Sequence, residues 1–176
     1  MNRQATRPTR AWCGFTLVEL IIVIAILAIA SLVAIPVFST GADMQVRSAA
    51  NKIAADLDYA KGLAITHQKK YTVVFAPASE SYQVQDVNED AIAHPLRQGL
   101  FVENLTADRR VGRVDIVSTN LNGDAVTFDY LGTPYSGTTA DPDNRLTDSG
   151  CIVLKADAFT LKVNIEPMTG YVTITP

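Results

Sequence analysis

The chain has 176 residues, 48% of them apolar and 19% charged, which suits one packed domain with a short appendage and excludes global disorder. Residues 1–14 hold Arg3, Arg7 and Arg10 and no acid; the remainder carries 12 Lys and Arg against 18 Asp and Glu, a net charge near −6. A net-acidic body argues against general nucleic-acid binding, which needs cations to neutralise phosphates. The cysteines are Cys13 and Cys151, so a chain lacking its first 14 residues has no internal disulfide. No Cys/His cluster has metal-ligand spacing.

From Phe15 to Phe38 the chain reads FTLVELIIVIAILAIASLVAIPVF. As a helix this run is about 36 Å long at ~1.5 Å per residue. That suffices to cross a hydrocarbon core of about 30 Å with some tilt. The arginines lie just before it, which places residues 1–14 on the cytoplasmic side and the body on the far side. A secretory signal peptide shares the basic start, and Ala28-Ile29-Ala30 offers a small-residue cleavage site. Against it, the run exceeds the usual 7–15 apolar residues and contains Glu19. An ionised carboxylate at membrane depth costs roughly 2.5–3.5 kcal/mol on insertion scales, so it calls for a reason. A lipoprotein reading fails on order, because Cys13 precedes the run.

Cleavage between Gly14 and Phe15 supplies that reason. The new amine on Phe15 stands one helical turn from Glu19, and the first turn of a helix favours negative charge. Packed beside a second chain, Glu19 can meet the neighbour's Phe15 amine and set the stagger. Gly14-Phe15-Thr16-Leu17-Val18-Glu19-Leu20 resembles the processing motif of type IV prepilins and type II secretion pseudopilins. The resemblance implies a leader over residues 1–14, cleaved after Gly14 by a prepilin peptidase that also N-methylates Phe15. It further implies that Glu19 serves filament assembly. Pro36 stands at the offset where the family often has a proline. A proline there either kinks the helix or ends the span.

Val46, Ala50, Ile53, Leu57, Ala60 and Ala64 recur at a mean spacing of 3.6 residues, one face of an amphipathic helix. Helix is expected from about 43 to 67, within an amphipathic segment 41–68 that follows an assembly segment 15–40. His67 is expected to cap its C-terminus with Lys69 and Lys70.

From 69 to 176 the period becomes that of strands. Tyr71–Phe75 and Tyr82–Gln85 flank the turn 77–81, and Leu100–Val102 and Val114–Val117 are further candidates. Asn122-Gly123 signals a hairpin between 113–118 and 125–130, where Val126, Phe128 and Tyr130 alternate with polar residues. Ile152–Leu154 leads into Leu161, Val163 and Ile165, then the turn 166–170 into Val172 and Ile174. The expected class is α+β: a long N-terminal helix packed against an antiparallel sheet or β-sandwich.

Asp56–Ile65 followed by a Val-rich hairpin, the Phe128–Pro134 segment, and the Gly150–Leu154 and Gly170–Ile174 strands are similar to the GspH/FimT-type domain of minor pseudopilins and minor pilins. That resemblance implies a bacterial inner-membrane protein with a periplasmic body. Its partners would be the prepilin peptidase/N-methyltransferase, other pilins or pseudopilins, the assembly platform and the lipid bilayer.

Other sites are weaker. In the 136–150 loop, Asp141, Asp143, Asn144 and Asp148 are candidate oxygen ligands for calcium, but the loop lacks the Gly and terminal Glu of an EF-hand. A solvated surface loop is the plainer reading. His94 sits in a loop before Pro95, Cys151 is expected to pack in the core, and Asn104-Leu-Thr106 is a short sequon match. Arg109, Arg110 and Arg113 are the tightest basic cluster. No convergent nucleophile or acid/base set is present, so neither an enzyme nor a cofactor is expected. The functions in contention are a minor pseudopilin of type II secretion and a minor type IV pilin serving pilus assembly or DNA uptake.

Overall fold

The computed structural model describes the backbone of residues 15–176 and the side chains of 15–31 and 41–176. Cys13, Gly14 and Arg3, Arg7 and Arg10 lie outside it, and the Pro36 ring lies among the side chains not described. The chain divides into two compact units, Met1–Ser39 and Thr40–Pro176. The assigned helix α1 is Leu17–His67, and its helical assignment continues through Pro36.

Thr16 starts the helix. Its hydroxyl accepts from the Glu19 amide at 3.2 Å, and its carbonyl accepts from the Leu20 amide at 3.2 Å. Thr16 and Glu19 thus stand as the first and last residues of a T-x-x-E capping box, with the carboxylate at the third helical position. The helix ends at His67 because Gln68 adopts a left-handed φ of 54°. The cap differs from expectation. Gln68 Nε2 donates to the Ile65 carbonyl at 2.8 Å, while the His67 ring turns to the Tyr71 hydroxyl, Nδ1 to oxygen 2.8 Å. The strand that follows brings Tyr71 within reach of His67 and draws its ring away from the helix end.

In the second unit the expected face of the helix is the buried one. Val46, Ala50, Ile53, Leu57, Ala60 and Ala64 are all fully buried. They share one core cluster with side chains of both sheets. The first sheet has the order β3-β2-β1-β5-β6, with β1 Tyr71–Ala76, β2 Ser81–Gln85, β3 Val102–Asn104, β5 Ala125–Phe128 and β6 Pro134–Ser136. The second has the order β4-β7-β8-β9, with β4 Asp115–Thr119, β7 Gly150–Ala156, β8 Phe159–Ile165 and β9 Val172–Thr175. All the strand pairs are antiparallel. The unit is therefore α+β, as expected.

The β1–β2 hairpin and the β7–β8–β9 meander lie where the alternation placed them. The Asn122-Gly123 turn forms, with Gly123 at φ 59°, but it joins no hairpin. Ile116 of β4 pairs with Leu154 of β7, whereas Val126 of β5 pairs with Val73 of β1. The turn carries the chain from one sheet to the other. Burial decides the outcome: every residue of β5 is buried, a demand that a two-stranded hairpin with β4 could not meet. Thr127 tolerates this because its hydroxyl meets Thr72 Oγ1 at 2.9 Å and donates to the Gly137 carbonyl at 2.7 Å. Tyr130 falls beyond the strand, in an exposed turn. Cys151 is only partly covered, because Gly150 and Ile152, its neighbours in β7, take the core face.

Two glycines lock the helix to the turns. A β-carbon on Gly132 (φ 82°) would come within 2.9 Å of Ile65 Cδ1, and one on Gly170 (φ 59°) within 2.9 Å of the Gly132 carbonyl. Lys61 Nζ donates to the Gly170 carbonyl at 3.3 Å across the same junction.

Candidate functional site

Two regions of the molecule carry side chains that packing alone does not explain. The first is the start of α1. Every described side chain from Phe15 to Ser31 is exposed, including Phe15, Leu17, Ile21, Ile24 and Ile29. Glu19 is the sole charged residue of this segment. A surface so apolar has to be covered by lipid or protein. Among the described residues no helix is long and apolar enough to cross a membrane; the described side chains of this segment stop at Ser31.

The second region is a charge cluster where α1, β2, β3 and the segment before β3 meet. Glu103, the middle residue of β3, is 2% exposed. Lys52 Nζ lies 2.5 Å from its Oε2, and Asp108 Oδ2 is 3.9 Å from the same amine. Arg97 and His94 face Glu103 Oε1, with His94 Nε2 at 3.1 Å. That oxygen makes no well-directed hydrogen bond, so charge attraction holds it. Beside it, Tyr82 donates its hydroxyl to Asp56 Oδ2 at 2.5 Å. Lys52, Asp56, His94, Arg97, Glu103 and Asp108 line an open cleft of about 320 Å³.

The cluster's ionisation follows from its burial. Desolvation pushes Asp56 above the usual carboxylate range, opposed by the Tyr82 hydrogen bond and by Lys52. The Tyr82 hydroxyl is pushed up by its own burial and by Asp56. Desolvation lowers Lys52, against Asp108 and Asp56. Desolvation also lowers His94, helped by Arg97 and Lys52 and opposed by Asp56. Geometry agrees: His94 Nδ1 accepts from the Leu96 and Arg97 amides at 3.0 and 3.2 Å, so a proton there would face two N–H groups. Glu103 pulls the other way, but the two amides hold Nδ1 as an acceptor, leaving the ring proton on Nε2.

Sequence reasoning missed this cluster. Its helix members, Lys52 and Asp56, stand 38 or more residues before its loop members and Glu103, and His94 and Arg97 look like ordinary loop residues. The one local signal was Glu103 flanked by residues of strand type.

The other candidates stay dispersed. Asp141 caps a short 3-10 turn by accepting from the Asp143 amide at 3.1 Å. Among the described residues no three His, Cys, Asp or Glu side chains gather to hold a metal, Asp141, Asp143 and Asp148 included. Asn104 of the sequon accepts from the Thr106 hydroxyl at 2.6 Å. Arg110 and Arg113 face Asp108 and Asp157 at 3.6 and 3.9 Å. Burial raises the Cys151 thiol.

A capped, exposed apolar helix start, and a second unit built on a helix seated under two antiparallel sheets, make up an α+β fold of the kind seen in pilins. Comparison with known proteins shows the same fold and a motif at the helix start. Residues 13–35 match the prokaryotic N-terminal methylation motif. The structure is similar to the minor pseudopilin EpsH from the type 2 secretion system of Vibrio cholerae, with TM-score 0.52, 8% identity, and 74% of this chain and 96% of that one covered. It is similar to the type IV minor pilin FimU of Pseudomonas aeruginosa, with TM-score 0.50, 16% identity, and 74% of this chain and 92% of that one covered. No curated protein matches the sequence. The chain thus carries a prepilin-type N-terminal motif and shares its fold with a minor pilin and a minor pseudopilin alike.

Proposed function

We infer that this chain is a minor subunit of a pilus-like filament, and specifically a minor pseudopilin of a type II secretion system. The observation that carries the reading is the exposed apolar surface from Phe15 to Ser31, broken by the single charge of Glu19. In the bilayer, lipid covers this surface, the body lies in the periplasm and the leader in the cytoplasm. In the filament, neighbouring helices replace the lipid. Prepilin peptidase cuts between Gly14 and Phe15 and methylates the new amine. Glu19 then pairs with the Phe15 amine of the adjacent subunit, which removes two unpaired charges from an apolar setting. Pro36 loosens the helix where it leaves the membrane. The protein acts as a structural part and a substrate of the peptidase, without a catalytic site of its own.

Mass spectrometry of the mature chain tests the processing. The reading expects N-methylated Phe15 as the first residue; a chain beginning at Ser31 overturns it in favour of a signal peptide. The second reading, a minor type IV pilin, is supported by the fold shared with a minor pilin. Deleting the gene separates the two. Loss of an exported enzyme from the medium with surface pili intact supports the pseudopilin, and loss of pili with export intact supports the pilin.

A further inference from the structure

The two sheets have four edge strands, β3 and β6 in one and β4 and β9 in the other. An edge strand offers unpaired N–H and C=O groups to any incoming strand, and proteins block such edges by recognisable devices. Three of these edges are blocked. β3 has the buried charge of Glu103 at its centre. β6 has only three residues and begins with Pro134, whose carbonyl accepts from the Leu146 amide at 3.2 Å; Tyr135 is bridged to Arg145. β4 is bulged between Ile116 and Ser118, and the Ile116 amide is taken by Glu80 Oε2 at 2.5 Å.

β9 has none of these. Val172-Thr173-Ile174-Thr175 contains no charge and no proline, and its register against β8 is unbroken. The hairpin fixes which groups point outward. The Glu166 amide donates to the Tyr171 carbonyl at 2.8 Å, so by alternation Thr173 and Thr175 bond to β8 and Val172 and Ile174 face away. Among the described residues no other backbone group meets those outward amides and carbonyls. Ile174 and Thr175 are exposed, as is Tyr171 just before the strand.

We propose that β9 is the pairing edge for β9 of a second copy of this chain, antiparallel and centred on Thr173. This register is self-complementary. It sets Val172 against Ile174 of the other copy and Ile174 against its Val172, forming about four main-chain hydrogen bonds. It places the two Thr173 side chains directly opposite, a favourable cross-strand pair, and the two apolar pairs on one face. The contact is smaller than the ~1,200 Å² of a stable complex, so pairing depends on concentration and strengthens when chains share one membrane.

The test uses the full chain in detergent micelles, with Cys13→Ser and Cys151→Ser to remove the native thiols. Opposed Thr173 residues bring their β-carbons to about 4.5–5.5 Å, so Thr173→Cys gives a disulfide-linked dimer on mild oxidation. Ser118→Cys, on the blocked β4 edge, gives little. Adding Ile174→Pro to Thr173→Cys deletes an outward N–H without touching the bonds to β8, and is expected to cut the dimer yield about tenfold through two lost hydrogen bonds per pair. Slowed hydrogen exchange of the Ile174 amide as the unsubstituted chain is concentrated is the second expected result, independent of any variant. Cross-linking at 173 no better than at 118, or an Ile174 amide whose exchange ignores concentration, overturns the proposal.

Discussion

Tyr82 donates its hydroxyl to Asp56 Oδ2 across 2.5 Å, so helix α1 is tied to strand β2 through a carboxylate that burial would rather see protonated. Because the folded pKa of Asp56 is raised, its contribution to stability is full below the ordinary carboxylate value and is lost as pH rises through the raised value. Asp56→Asn is expected to flatten that part of the stability–pH curve. Tyr82→Phe removes a bond that holds the pKa down. It should therefore move the Asp56 titration further upward, read by carboxyl NMR, and destabilise the body by about 1–3 kcal/mol.

His94 responds to pH with the opposite sign. Its folded pKa is depressed, so the stability it contributes is present above the unfolded value of about 6.5 and is lost as pH falls through the lower folded value. Acidification is expected to release the 94–97 segment first, visible as faster amide exchange at Leu96 and Arg97. Unchanged exchange at those amides down to the acid transition of the whole unit counts against the assigned tautomer.

Glu103→Ala leaves Lys52, His94 and Arg97 facing one another without their anion. A cost of about 3–5 kcal/mol is expected, the range for breaking a buried pair from one side. Denaturant unfolding of the Glu103→Ala and Lys52→Met single variants and their double variant measures the coupling. Additive losses would show that the two side chains do not stabilise each other.

Gly170→Ala forces a β-carbon into a left-handed position 2.9 Å from the Gly132 carbonyl. A loss of about 2 kcal/mol and a fall in Tm of roughly 4–8 °C are expected. Gly62, with open space around it, is the control: Gly62→Ala should stabilise the helix slightly, by about 0.5–1 kcal/mol.

Glu19→Ala should leave the methylated Phe15 terminus intact, since the cut lies before it, yet abolish recovery of the protein in sheared filaments. Because Glu19 also stands at the acid position of the Thr16 capping box, Glu19→Gln is the sharper variant. It keeps a capping side chain and removes the charge. Normal assembly of Glu19→Gln would show that the charge is dispensable.

The parts of the fold governed by local periodicity were legible in the sequence. Val46, Ala50, Ile53, Leu57, Ala60 and Ala64 defined the buried helix face, and alternation located the β1–β2 and β7–β9 hairpins. What escaped was non-local. Asn122-Gly123 specifies a turn, but nothing near it says that Val126 will pair with Val73 and Ile116 with Leu154. Glu103 pairs with Lys52 from 51 residues away, which no spacing rule reports. Residue type points Cys151 to the core, whereas the strand's two-residue period puts Ile152 there. Around Glu19, the motif was visible at once, while the Thr16 cap became apparent only with the helix start.

The burial of Ala42 and Val46 has a practical consequence for anyone cutting this protein. The folded body begins partway along α1, not at any loop, so secondary structure is a poor guide to where it can be severed. A soluble fragment starting near Thr40 retains the whole helical seat. One starting near Asp58 would leave the sheets facing an empty trough once filled by Val46, Ile53 and Leu57, and should be recovered as aggregate.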